Sequence, residues 1–145
     1  MSGPARAGLF IYASDAERIA RFYEAVAGMS RLHARDELIV LQSADIQLLV
    51  HHIPPQIAED IAIASPPTRR ENTALKFFFT VPSLNEARSI ACTLGGEVFY
   101  ENWRGSGFLV CNAMDPEGNV FQVRESVEIA DQTRGNRLRP AMSES

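Results

Sequence analysis

The same pattern of helix signals occurs twice in this chain, and this repeat constrains the fold more than any other feature of the sequence. Ser14 or Asp15 can cap the first predicted helix, which Gly28 ends, and Ser83 and Gly96 bracket a second one. The offset from Asp15 to Ser83 and from Gly28 to Gly96 is 68 residues. A short apolar strand precedes each helix, and three strand candidates follow it. Because one such half is too small to bury a stable core, we predict that two βαβββ modules pack together.

The predicted domain boundaries follow from this repeat. They are 1–126 for a single domain, within which module one covers about 5–53, a connector 54–73 and module two about 74–126. Two proline pairs punctuate the connector, and the apolar residues between them favour a short helix. The polar segment 127–145 is predicted to be a C-terminal tail, for which a solvated arm, a helix and a strap across a partner all stay open.

The composition argues against several classes of protein. Hydrophobic residues make up 46% and charged residues 22% of the 145, which is ordinary for a globular domain. The formal net charge is −4, so we expect no nucleic-acid partner. The apolar runs are too short to span a bilayer, and the start of the chain does not read as a secretory signal. Cys92 and Cys111 are interpreted as small buried hydrophobic residues, which favours a reduced, cytoplasmic setting.

Three motifs give the chain a family resemblance. They are the first helix at 15–28 (DAERIARFYEAVAG), the strand-to-helix segment at 79–87 (FTVPSLNEA) and the turn and last strand at 115–122 (DPEGNVFQ). In this order and spacing they resemble the vicinal oxygen chelate superfamily, which contains glyoxalase I, bleomycin-resistance proteins, fosfomycin-resistance enzymes and extradiol dioxygenases. The resemblance covers about residues 5–126. It implies an α+β fold in which two tandem modules form a glyoxalase-like curved sheet around a central pocket, and it implies a homodimer.

The resemblance also places four inward side chains at which metal-using members hold their ion. These positions fall on Gly8, Lys76, Gln122 and, as the repeat-mate of Gln122, Gln47. None of them offers the imidazole, thiolate or carboxylate groups that Zn²⁺, Fe²⁺ or Ni²⁺ normally needs. We therefore predict no metal ligands and no cofactor. One alternative stays open, in which His51 completes an unusual metal site with Gln47 and Gln122.

A set of side chains is predicted to line the pocket. Strand alternation and the expected position of the last hairpin select Phe10, Tyr12, Gln47, Leu49, Lys76, Phe78, Trp103, Gln122 and Arg124. Trp103 is expected in a loop at the rim, either as a stacking platform or as a cap on the core. The two glutamines also fit a half-exposed sheet face, and Lys76 also fits the surface. If they do line the pocket, Lys76 and Arg124 favour an anionic or oxygen-rich ligand.

Three functions are consistent with these residues. The first is a small-molecule-binding protein of the glyoxalase/bleomycin-resistance type without a catalytic metal. The second is a glyoxalase- or dioxygenase-like lyase, isomerase or transferase, acting through a metal at His51 or through Lys76 or Tyr12 as an acid–base group. The third is a protein that contacts another protein through its tail. The sequence does not name the ligand, because one scaffold serves many functions.

Overall fold

The computed structural model describes residues 5–54 and 67–127. The predicted helix of the connector and the predicted tail after residue 127 lie outside the described residues.

The described chain follows the predicted order of strand, helix and three strands, and it does so twice. Module one contains β1 (Gly8–Ala13), α1 (Ala16–Val26), β2 (Ser30–Arg35), β3 (Leu38–Gln42) and β4 (Gln47–His52). Module two contains β5 (Phe78–Thr80), α2 (Leu84–Thr93), β6 (Glu97–Gly105), β7 (Phe108–Met114) and β8 (Val120–Ser126). The predicted α+β class and the two βαβββ modules are confirmed.

Each module forms one four-stranded sheet with the same strand order. The first sheet runs β1-β4-β3-β2 and the second β5-β8-β7-β6. In both sheets the first and last strands of the module are parallel neighbours, and the remaining pairs are antiparallel. Each helix carries the chain from the first strand of its module to the opposite edge of the sheet, from β1 to β2 and from β5 to β6. The next two strands return antiparallel, so that β4 lies beside β1 and β8 beside β5.

Both predicted helix caps are present. The Asp15 carboxylate accepts a hydrogen bond from Arg18 N, and the Ser83 hydroxyl accepts one from Glu86 N. Gly28 follows α1 with a φ of 68°, as a helix stop should. The second stop differs from the prediction, because Gly95 and not Gly96 takes the positive φ, so that α2 is one residue shorter than α1.

The core joins the two modules. Phe22 and Tyr23 of α1 are fully buried, and the Tyr23 ring lies 5.9 Å from the Phe79 ring and 5.3 Å from the Phe121 ring of module two. Apolar side chains from both helices and both sheets belong to this single cluster. The prediction that neither half closes a core alone therefore agrees with the packing.

The turn at 115–119 ties module two to the start of α1. The buried Asp115 carboxylate accepts hydrogen bonds from Tyr23 Oη at 2.8 Å and from the backbone N–H groups of Glu117 and Asn119. The Glu117 carboxylate in turn accepts the backbone N–H groups of Ser14 and Asp15, at 2.9 and 2.8 Å. This motif, which carried the family resemblance, thus has a structural role at the junction of the modules.

Two expectations about this part of the chain are wrong. The strand predicted over 74–80 begins only at Phe78, because residues 68–70 lie against the 117–119 turn and the chain crosses from there to the sheet in irregular conformation. Cys92 is exposed rather than buried, because it lies on the side of α2 that points away from the core, whereas Cys111 is buried as predicted. Burial raises the pKa of the Cys111 thiol.

In the described ranges, no helix has the length and apolar character needed to cross a membrane.

Candidate functional site

Each sheet has one face toward the helices and one face away from them, and the faces that point away carry the predicted site residues. We call these the first and second outer faces. On β1, β4 and β3, the first outer face consists of Gly8, Phe10, Tyr12, Gln47, Leu49, His51, Leu38, Val40 and Gln42. On β5, β8 and β7, with Lys76 just before β5, the second consists of Lys76, Phe78, Thr80, Val120, Gln122, Arg124, Ser126, Phe108, Val110, Asn112 and Met114. The intervening residues of these strands contribute the core.

The first outer face presents an aromatic surface. The Phe10 and Tyr12 rings stack with centroids 6.1 Å apart, and they are 54% and 57% exposed. The His51 ring lies 5.5 Å from the Tyr12 ring, and its Nδ1 is 2.8 Å from the carbonyl oxygen of His52. The described residues do not enclose these large aromatic side chains, so the surface can contact a ligand or a second protein surface.

The second outer face combines aromatic and cationic groups. Phe78 pairs with Gln122 across β5 and β8, and Asn112 pairs with Gln122 across β7 and β8. Lys76 is exposed, and its Nζ donates to Asn112 Oδ1 at 3.4 Å. The Lys76 side chain therefore reaches over the strand that carries Gln122.

Arg124 has the most defined environment on this face. Its Cζ lies 3.7 Å from the centroid of the Phe78 ring and 4.3 Å from that of the Phe108 ring. Its Nε is buried and has no hydrogen-bond partner among the described residues. The guanidinium is thus positioned by two aromatic rings and not by a hydrogen bond.

Trp103 belongs to this neighbourhood, but not in the way that the sequence predicted. It lies within β6 and pairs with Val110, which in turn pairs with Arg124. The glycine-flanked segment that suggested a loop is the continuation of a strand after a bulge between Val98 and Asn102. Trp103 is partly buried on the same side of the sheet as Arg124, since paired residues share a face.

The structure therefore places all nine predicted residues on the outer faces, but in two separate groups. Phe10, Tyr12, Gln47 and Leu49 lie on the first, and Lys76, Phe78, Trp103, Gln122 and Arg124 on the second. Among the described residues, no hydrogen bond, ion pair or aromatic contact joins one group to the other. Phe108 and Asn112 were missed by sequence reasoning, although their alternation with the buried Cys111 and Ala113 was a signal that could have identified them.

The strand register corrects the predicted equivalence of the two glutamines. Gly8 pairs with Gln47 and Phe10 with Leu49, whereas Phe78 pairs with Gln122. Since the helix caps relate Phe10 to Phe78, the repeat-mate of Gln122 is Leu49 and not Gln47. The prediction failed because the similar sequences around the two glutamines suggested that Gln47 and Gln122, 75 residues apart, are equivalent. The strand pairing instead makes Leu49 and Gln122 equivalent, which are 73 residues apart.

The four positions of the family pattern do not fit a divalent transition metal. Gly8 has no side-chain donor, Leu49 is apolar, the Lys76 ammonium has no lone pair, and Gln122 offers only a neutral amide. Within 5–54 and 67–127, no three His, Cys, Asp or Glu side chains form a group that could hold a metal ion. Of the alternative set, His51 and Gln47 share the first outer face while Gln122 lies on the second.

The outer faces carry few acidic groups. The parts of these faces formed by β1, β4 and β3 and by β5, β8 and β7 contain no Asp or Glu, although the chain has 18 acidic residues. Glu125, the acid on β8, points to the helix side, where its carboxylate accepts the Leu84 N–H at 2.7 Å. On the edge strand β6, Glu97 pairs with Met114 and so shares the second outer face, four residues along β7 from Val110, the strand partner of Arg124. The charges on the second outer face therefore include those of Lys76, Arg124 and, at its β6 edge, Glu97.

A separate cavity of about 430 Å³ lies between α1 and the end of α2. Its lining consists of Asp15, Arg18, Arg21, Cys92, Thr93, Leu94 and Gly95. None of the nine predicted site residues contributes to it.

Comparisons with known proteins agree with this architecture. A search of curated proteins gave no match. Among solved structures, the chain is similar to a glyoxalase/bleomycin resistance protein/dioxygenase family enzyme from Burkholderia phytofirmans PsJN, with a TM-score of 0.64, 14% identity and coverage of 86% of this chain and 100% of that one. It is also similar to a glyoxalase/bleomycin resistance protein from Albidiferax ferrireducens T118, with a TM-score of 0.60, 15% identity and coverage of 83% and 98%.

A third similar structure is the fosfomycin resistance protein FosX from Listeria monocytogenes, with a TM-score of 0.57, 16% identity and coverage of 88% and 95%. At these identities the structures establish the fold alone. The family model of the glyoxalase-like domain matches residues 8–124, which is most of the chain and includes every strand and helix described above except the last residues of β8. The chain therefore belongs to the glyoxalase-like domain family, within the vicinal oxygen chelate superfamily that its motifs resemble.

Proposed function

We propose that this chain binds a small organic molecule between the first outer face of one copy and the second outer face of another, without a conventional catalytic metal. Such a homodimer would contain two equivalent sites. The proposal is supported by the exposed Phe10, Tyr12 and Phe78 side chains, which a single chain leaves more than half open to solvent. The expected cytoplasmic location remains part of this proposal.

The observation that carries the metal-free part is the set of side chains at the four family positions. Gly8, Leu49, Lys76 and Gln122 contribute one positive charge and no anionic ligand. A cation placed among them would lose its water ligands and gain a single neutral amide oxygen, which is unfavourable. A ligand held by hydrogen bonds and aromatic contacts fits these residues better.

Metal analysis tests this part directly. We expect protein purified without chelators to contain well under one Zn²⁺, Fe, Ni²⁺ or Mn²⁺ per chain, and we expect its melting temperature to be unchanged by millimolar additions of these ions. The double variant Lys76→His with Gln122→Glu supplies two ligands at family positions and serves as the control for detection. Stoichiometric metal that survives gel filtration in the wild-type protein would contradict the proposal.

The second candidate function is a metal-independent enzyme of the glyoxalase- or dioxygenase-like type. The observation that favours it is the contact between the Tyr12 and His51 rings, which places two groups capable of proton transfer on one face. Lys76 supports it less, because it is exposed in the single chain, whereas a lysine that acts as an acid–base group normally needs a buried environment.

A further inference from the structure

We propose that the bound molecule is an apolar carboxylate whose carboxylate group binds Arg124 on the second outer face. This inference rests on the proposed function, since it assigns the chemistry of the ligand to one side of the proposed site. The observations that carry it are the aromatic clamp on Arg124, the lack of a counterion, and the charge of the surrounding face.

The aromatic clamp fixes the position of the guanidinium before any ligand arrives. Phe78 and Phe108 lie 3.7 and 4.3 Å from its Cζ, measured to their ring centroids. These two residues belong to the strands on either side of the one that carries Arg124. Holding a long side chain between two rings removes rotamer freedom in advance, so less entropy is lost when a ligand binds.

The guanidinium also has unused hydrogen-bonding capacity. Among the described residues, Arg124 makes no side-chain hydrogen bond and no ion pair, and its buried Nε is without a partner. Buried donors of this kind are normally satisfied, and exceptions occur at sites that bind something else. The residue is only partly buried, so its remaining nitrogen atoms can receive a carboxylate in the two-point geometry that guanidinium favours.

The electrostatic potential of the second outer face favours an anionic ligand. The Lys76 ammonium is held at Asn112, whose strand partner is Gln122, two residues from Arg124 on β8. Two residues along a strand span roughly 7 Å, so the two cations flank a region of about that length. The outer sides of β5, β8 and β7 carry no acid, and Glu97 of the edge strand β6 pairs with Met114, four residues along β7 from the strand partner of Arg124. The combined potential of the two cations therefore favours a negative ligand between them.

The aromatic groups define the rest of the ligand. Phe78 is 52% exposed, and in the proposed dimer Phe10 and Tyr12 of a second copy would face it. A small inorganic anion would leave these rings uncovered. An apolar body attached to a carboxylate would use the rings and the guanidinium together.

Binding of benzoate and of its neutral isostere benzamide to the full chain, followed by ¹⁵N NMR, tests the inference. We expect both probes to shift amide resonances of β5 and β8, with benzoate binding at least about tenfold more tightly, since a charge-assisted hydrogen bond contributes at least that factor. The Arg124 Nε–Hε resonance should shift with benzoate alone. In Arg124→Gln the preference for benzoate should be lost, whereas Arg124→Lys should keep part of it.

The matched control is Arg104→Gln, which removes an exposed arginine of β6 that lies on the other side of the sheet from Trp103. It should leave the preference unchanged. The carboxylate inference would be overturned if benzoate and benzamide bound equally well to the second outer face, both in the wild type and in Arg124→Gln. That outcome would leave the proposed site intact. If neither probe shifts any outer-face resonance at millimolar concentration, the inference and the proposed site both fail.

Discussion

Asp115 is fully buried, yet the structure supplies its carboxylate with hydrogen bonds from a tyrosine, an asparagine side chain and two backbone N–H groups. Burial raises the pKa of Asp115, while the bonds from Asn119 and Tyr23 act in the opposite direction. A folded-state pKa above the unfolded one means that the folded protein favours the protonated form. The charged carboxylate therefore costs stability above the unfolded pKa, and this cost decreases as the pH falls.

The substitution Tyr23→Phe tests how far hydrogen bonds offset the burial of the Asp115 carboxylate, because it removes a single oxygen atom. Removing the hydroxyl takes one donor from the buried carboxylate and raises its folded pKa further, so we expect the free energy of unfolding near neutral pH to fall by about 2 kcal/mol. The loss should shrink as the pH is lowered and Asp115 becomes protonated. Urea denaturation across a pH series measures both effects.

The control for this variant is Tyr100→Phe, because Tyr100 is 79% exposed and lies outside the core. It should change stability by less than about 0.5 kcal/mol at every pH. A Tyr23→Phe protein whose loss is the same at acidic and neutral pH would show that the hydroxyl contributes packing alone.

At the scale of elements, the two glycines after α2 have different tasks. Gly95 takes the positive φ that ends the helix, whereas Gly96 allows close packing, since a Cβ there would clash with the Phe22 ring and the Met114 carbonyl oxygen. From the sequence alone, either glycine of the pair could end the helix and either could allow close packing. Which glycine ends the helix and which allows close packing depends on the position of α1, and that position is set by tertiary packing.

Gly96→Ala is expected to lower the free energy of unfolding by about 1–3 kcal/mol, because both clashing neighbours are held by the core. The comparison is Gly28→Ala, where φ is 68° but no atom lies within 4 Å of the added Cβ. That change should cost roughly 1–2 kcal/mol through backbone strain alone. Phe22→Leu removes packing in either background but relieves the ring clash only in the Gly96 variant, so it should cost less stability there than in the Gly28 variant, as measured by urea denaturation.

Most of the elements were predictable because their signals are local. Asp15 and Ser83 cap helices through contacts three residues away, and the alternation of Gln47 and Leu49 with buried neighbours needs only a strand. The pairing register was not predictable in this way, because it is set by contacts between distant segments. The shift of the repeat-mate from Gln47 to Leu49 is therefore visible only in the assembled sheet.

At the scale of the whole molecule, the exposed aromatic faces lead to a prediction about assembly. If the first outer face meets a second copy, Phe10→Asp would place a charge in that interface and raise the dissociation constant of the dimer by at least about thirtyfold. The matched control is Leu75→Asp, which changes a residue that is 82% exposed and lies outside both outer faces.

Analytical ultracentrifugation of the three proteins gives the comparison. The wild type and the Leu75 variant should sediment as dimers at concentrations where the Phe10 variant is a monomer with unchanged circular dichroism. A wild-type protein that is monomeric at high micromolar concentration would contradict the proposed assembly.

The attachment of the Glu117 carboxylate to the backbone of Ser14 and Asp15 breaks the symmetry of the duplicated chain. The start of α2 is held differently, by Glu125 of its own module. A protein assembled from two copies of module one would lack both Glu117 and Glu125. A protein assembled from two copies of module two would have these carboxylates but would lack Phe22 and Tyr23 of the core. The halves have thus become complementary parts, and neither can any longer replace the other.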